Sequence, residues 1–114
     1  MQIKIKKYIK QNEQKAIQLA SETLRKKFPV RKVILFGSKA RGDDDEESDI
    51  DLLLLTDRPI SWQERKALIG ALFDIGLAYD VVISPLISTS ADWLEGTFSV
   101  MPIHDEIARE GILM

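Results

Sequence analysis

Asp49 and Asp51 stand one residue apart, and Leu52 to Leu55 run on directly behind them. Separated from the pair by ten residues, a Gly37-Ser38 dipeptide closes the apolar run Val33-Ile34-Leu35-Phe36. In an extended chain alternate side chains share a face, which sets the two carboxylates about 6–7 Å apart along one strand. Two hard oxygen ligands at that spacing can share a magnesium ion or bridge a pair of them. A glycine turn lets backbone N–H groups approach an anion closely, and the adjacent serine adds a hydroxyl donor. A phosphate-accommodating turn joined to a metal-ready acid pair implies a metal-dependent reaction on a nucleotide.

Such a pair must be carried by secondary structure. Ile50, Leu52 and Leu54 alternate with Asp49, Asp51, Leu53 and Leu55, so Asp49 to Thr56 is predicted as a strand with acids at its entrance and both faces apolar beyond. Val33 to Phe36 is predicted as a buried strand. The residues Ser38 to Arg41 fit a short helical turn, with Ser38 as its cap and Gly42 as its stop. Apolar residues recurring at spacings of three and four from Ile5 to Phe28 (Tyr8, Ile9, Ala16, Ile17, Ala20 and Leu24 among them) predict an amphipathic helix ended by Pro29. Ser61-Trp62-Gln63-Glu64 is a capping-box sequence opening a second helix to about Leu77, with Ala67, Leu68, Ala71, Leu72 and Ile75 on its stripe. Tyr79 to Ser84 is expected as a third strand closed by Pro85, and Pro102 to Glu110 as a last helix stopped by Gly111.

A helix between the second and third strands favours a parallel pair, whereas the twelve-residue connection between the first and second favours an antiparallel one. That order brings Gly37-Ser38, Asp49 with Asp51, and Asp80 to one rim of the sheet.

The 114 residues suffice for one domain spanning 1–114. The absence of cysteine excludes disulfides and thiolate metal sites. Without a signal-peptide pattern or a membrane-length apolar run, a cytoplasmic location is expected. The formal net charge of -2 argues against extended nucleic-acid binding. Charge is uneven: lysines and arginines crowd residues 4–32, and residues 43–51 hold seven acids. Asp43 to Glu47 reads most simply as a solvated loop. Lys39 and Arg41 are candidate phosphate or partner contacts, Arg41 the better one. His104 receives no role, and Trp62 and Trp93 read as core or interface anchors.

The run Val33 to Gly42 followed by Ser48-Asp49-Ile50-Asp51-Leu52 resembles the signature of the DNA polymerase β-type nucleotidyltransferases, and within them the small MNT (minimal nucleotidyltransferase) proteins. Tyr79-Asp80-Val81-Val82-Ile83 is similar to the family's third-acid strand. The resemblance implies an α/β (α+β) fold with a mixed three-stranded sheet flanked by helices. It implies two magnesium ions and ATP as substrate. Asp49, Asp51 and Asp80 would be the catalytic and metal-binding acids, with Gly37, Ser38 and Arg41 at the nucleotide. It further implies a helical-bundle partner of HEPN or kanamycin-transferase C-terminal type in a hetero-oligomer, because the chain is too short to carry an acceptor domain. Within that resemblance three roles stand open: AMP transfer to a small molecule bound by the pair, AMP transfer to a tyrosine of a toxin partner with this chain as antitoxin, or neutralisation of the partner by contact without chemistry. A dinucleotide-binding fold is excluded by the lack of G-x-G-x-x-G, and a Walker-type NTPase by the lack of G-x-x-x-x-G-K-[ST].

Overall fold

The computed structural model describes residues 9–42 and 49–114. Tyr8, the start of the expected first helix, the acidic run Asp43 to Glu47 and Ser48 lie outside the described residues. Ten elements follow one another: α1 (Gln11–Lys27), β1 (Val30–Phe36), α2 (Ser38–Arg41), β2 (Ile50–Thr56), α3 (Trp62–Tyr79), β3 (Ile83–Thr89), α4 (Ser90–Glu95), a 3-10 turn (Thr97–Val100), α5 (Pro102–Glu110) and β4 (Ile112–Leu113).

The strands form one mixed sheet in the order β3-β2-β1-β4. β1 runs antiparallel to β2 and β4, and β2 runs parallel to β3, as the connection lengths required. The sheet has four strands instead of the expected three. Ile112 and Leu113 pair with Leu35 and Ile34, and Met114 donates its N–H to the Val33 carbonyl at 2.8 Å. Two residues are too few for alternation to reveal a strand in the sequence.

Alternation along the strands sorts the core into two layers. Val33, Leu35, Ile50, Leu52 and Leu54 pack against Ala16, Ile17, Ala20 and Leu24 of α1 and Leu68 and Leu72 of α3. Ile34, Leu53 and Leu55 pack on the opposite face against Trp93 of α4 and Ile107 of α5. β2 is therefore covered on both sides, and burying each leucine stabilises the fold by roughly 1.5–3 kcal/mol. This anchoring holds the acids at the strand's entrance. Among the described residues no helix is long and apolar enough to cross a membrane.

Several expected boundaries move, the first strand starting at Val30 and not Val33. α1 starts at Gln11, because Lys10 adopts an extended conformation (φ -63°, ψ 155°) and caps the helix. Its N–H is accepted by Glu13 at 2.9 Å. The cap of α2 is Gly37 and not Ser38, while Gly42 stops the turn at φ 83° as expected. The third strand starts at Ile83, not Tyr79. The helix before it persists through Tyr79, and Asp80 closes it in the left-handed conformation (φ 57°, ψ 50°). A short polar side chain tolerates that conformation better than most residues do. Pro85 lies within β3 and does not end it. β3 is an edge strand, where a missing N–H costs no ladder bond on the solvent side. The capping box at Ser61 and Glu64 forms as expected, with Glu64 N–H donating to Ser61 Oγ at 3.1 Å and Ser61 N–H to Glu64 Oε1 at 3.0 Å.

Candidate active site

The site is built where β1 ends and β2 begins. Phe36 is the register partner of Asp51, so the residue after Phe36 lies beside that carboxylate. Gly37 takes φ 75° and ψ -156°, a conformation that L side chains rarely adopt. A Cβ there would overlap the Asp51 carboxylate. The glycine is required twice over, once for the backbone angle and once for the close approach. From this turn the chain enters α2, whose single turn closes with Arg41 N–H to the Gly37 carbonyl at 3.1 Å and Gly42 N–H to the Ser38 carbonyl at 2.8 Å.

Below the turn, Lys39 is 1% exposed and forms an ion pair with Glu13 of α1, itself 5% exposed. This departs from the sequence reading, which took Lys39 as a candidate phosphate or partner contact. A four-residue helix has no periodicity to declare an inward face, so burial of the lysine was illegible. Its ammonium, with buried Ala40 beside it, ties the turn to α1. Breaking such a pair leaves an uncompensated buried charge, so the geometry of the turn is fixed firmly.

The two acids have different surroundings. Asp49 precedes β2 and is exposed. Its Oδ2 accepts a 2.8 Å hydrogen bond from Ser84 Oγ. Asp51 is partly buried, and its carboxyl is pushed above the ordinary value of 3.8, first by burial, then by the like charge of Asp49, with Arg41 opposing. Arg41 is shared, its Nη1 also lying 3.3 Å from Glu110 Oε2 of α5. A half-buried carboxylate beside a second one, under a glycine with no room for a side chain, has the donor chemistry of a hard divalent cation site. Among the described residues, Asp49 and Asp51 are the carboxylates that fit such an ion, with the Ser84 hydroxyl donating to Asp49.

Asp80 does not join them. In the parallel register Ser84 is the partner of Asp51 and Ile83 that of Ile50. Asp80 sits three residues before β3 and lines a cavity of about 800 Å³ together with Lys10, Asn12 and Glu13 near the start of α1 and Phe73 and Leu77 of α3. Ile83 also lines that cavity and packs with the α1–α3 layer. Asp51 alternates with Leu53 and Leu55, which face α4 and α5. The expected third acid therefore belongs to the other side of the sheet. Among the described residues no three acids or histidines gather to hold a metal ion. Ser84 was missed because Pro85 looked like a terminator; its signal would have been the β2–β3 register, legible only once the strand was placed correctly. Of the other expected site residues, Gly37, Ser38, Asp49, Asp51 and Arg41 are brought to one rim. Of the two tryptophans read as core or interface anchors, Trp93 lies in the core and Trp62 is exposed on the surface.

Comparison with known proteins places these observations in a family. Residues 18–94 match the family model described as Polymerase beta, Nucleotidyltransferase. A relative from Methanocaldococcus jannaschii, carrying the name putative protein adenylyltransferase MJ0141, is 48% identical over 56 residues, covering 49% of this chain and 57% of its own length. The chain thus spans little more than half of that relative. Among solved structures, a toxin–antitoxin complex with AMP-PNP contains a chain that superposes with a TM-score of 0.61 at 18% identity, covering 85% of this chain and 70% of its own. A complex of a tri-AMPylated Shewanella oneidensis HEPN toxin with an MNT antitoxin gives 0.56 at 20% identity, with coverages of 88% and 69%. At those identities the superpositions establish the shared fold.

Proposed function

The chain belongs to the polymerase β-type nucleotidyltransferase family, and from that premise we propose that it is a magnesium-dependent adenylyltransferase subunit acting as one domain in the cytoplasm. The observation that carries the reading is the Asp51 carboxylate held against Gly37, with Asp49 beside it. Asp49 and Asp51 would hold magnesium, two ions when ATP is bound, which would neutralise phosphate charge and activate the acceptor hydroxyl. The Gly37 and Ser38 backbone N–H groups and the Ser38 hydroxyl would hold the β- and γ-phosphates of ATP, and Arg41 would contribute charge from the same rim. Buried Lys39, through Glu13, keeps that turn in place. The acceptor oxygen bonds to the α-phosphorus, the bond to the β-phosphate oxygen breaks, pyrophosphate departs, and the hydroxyl proton is released to water.

The acceptor comes from a helical-bundle protein, as a side chain or as a small molecule that it binds. Two observations support a protein partner. The two solved complexes with this fold are toxin–antitoxin pairs, one of them with a tri-AMPylated HEPN toxin. In addition, Trp62, Ile69, Phe73 and Leu77 are exposed along α3 at spacings of seven, four and four, a stripe that monomers seldom leave open.

The test is incubation of the chain and the product of its neighbouring gene with labelled ATP and magnesium. Label on the partner supports protein AMPylation, and label only on an added small molecule supports a two-subunit small-molecule enzyme. No transfer, together with neutralisation of the partner that survives Asp49→Ala and Asp51→Ala, would replace catalysis with inhibition by contact.

A further inference from the structure

Among the described residues, the rim holds two aspartates and a serine where the sequence led one to expect three acids. Three features make the serine more than a bystander. Ser84 is the register partner of Asp51 on the parallel neighbour strand, so the two side chains leave the sheet on the same face. Its hydroxyl has a single proton, which it donates to Asp49 Oδ2 at 2.8 Å. The strands are pinned immediately beside that contact, where Ile50 N–H meets the Val82 carbonyl at 2.8 Å. Asp49 otherwise lies before the strand and exposed, and among the described residues no other hydrogen bond selects its rotamer. Asp80 is held away by the helix closure: Val81 N–H bonds to the Gly76 carbonyl at 3.0 Å, and a Cβ at Gly76 would stand 2.6 Å from the Val81 carbonyl oxygen.

Resting on the nucleotidyltransferase reading of this site, we propose that Ser84, and not Asp80, is its third side chain: a positioning residue that orients the Asp49 carboxylate for the divalent cation. By donating to one oxygen it fixes the carboxylate plane and leaves the other oxygen, with the remaining lone pair of the first, directed at the ion. Ser84 itself acts through Asp49. The cation site contributed by the described residues then has two carboxylates and one oriented hydrogen bond. Outer partners of this type commonly change metal affinity 10–100-fold when removed, and the exposure of Asp49 places the effect near the lower end.

The test measures Mn2+ affinity of the full chain, by electron paramagnetic resonance, with a non-hydrolysable ATP analogue present. Ser84→Ala should weaken Mn2+ binding about tenfold, Ser84→Thr should restore it to within about threefold, and Asp80→Asn, which keeps a residue tolerant of the left-handed conformation, should leave it unchanged. Melting temperatures without metal should agree across the set, which separates positioning of Asp49 from general loss of structure. Equal affinity of Ser84→Ala and wild type, or a loss in Asp80→Asn as large as that expected of Ser84→Ala, would overturn the assignment of Ser84 while leaving the reaction intact. Failure of the wild-type chain to bind Mn2+ in the presence of the analogue would instead overturn the nucleotidyltransferase reading, and the role of Ser84 with it.

Discussion

Two acid-bearing regions flank the Gly37 turn, and they differ in how their charge is balanced. Below it, Glu13 is buried with the Lys39 ammonium against its carboxylate and the Lys10 N–H on its other side. At the rim, Asp51 is half-buried beside Asp49, and burial and repulsion outweigh the opposing charge of Arg41, which Glu110 also claims. The first region is electrostatically closed and needs no ligand. The second carries a charge imbalance that a divalent cation would relieve. A buried acid with a matched partner reads as scaffold; a half-buried acid pair of like sign reads as a place for a cation.

The largest expected effect breaks the closed region. Lys39→Ala should cost about 3–5 kcal/mol in urea denaturation, because Glu13 is left charged and buried. The double variant Lys39→Met with Glu13→Leu should recover most of that loss while still slackening the turn. Next, Gly37→Ala should cost about 1–3 kcal/mol through its backbone angle and abolish nucleotide transfer through the collision with Asp51. Ser61→Ala, far from both regions, should cost about 1 kcal/mol through its lost cap and leave transfer unchanged, which calibrates the other two.

The smallest effects are pH slopes of opposite sign. Glu64 is pushed down to about 2 by its hydrogen bonds with Arg58 and the Ser61 backbone, so its contribution is present above 4.5 and is lost as pH falls toward 2. Asp51 is shifted upward from 3.8. Its folded carboxyl retains a proton that the unfolded chain releases, so its contribution falls as pH rises from 3.8 through the raised value. Melting curves at low ionic strength should show the second slope vanish in Asp51→Asn and the first vanish in Glu64→Gln.

How much of this was legible in the sequence follows from how local each feature is. The two faces of β2, the capping box at Ser61 and the meeting of Gly37 with Asp51 are written in alternation, spacing and connection length. Features decided by tertiary context were not. The left-handed closure at Asp80 is a single-residue event with no periodic trace, and it displaced the third acid. Pro85 carries a breaker's signature, yet the edge position of β3 tolerates it. Lys39 has the most polar of signatures, and only a buried partner 26 positions upstream reverses its meaning. β4 exists because β1 offers an open edge to two apolar residues.

The rim pair is proposed as the cation site that a nucleotide's phosphates would share. The most direct measurement is the melting temperature of wild type and Asp51→Asn, each with and without magnesium and a non-hydrolysable ATP analogue at neutral pH. The account predicts that Asp51→Asn melts higher than wild type without ligand, because the repulsion is gone, and that only wild type rises when magnesium and the analogue are added. An equal rise in both proteins, or a lower unliganded melting temperature for Asp51→Asn, would contradict it.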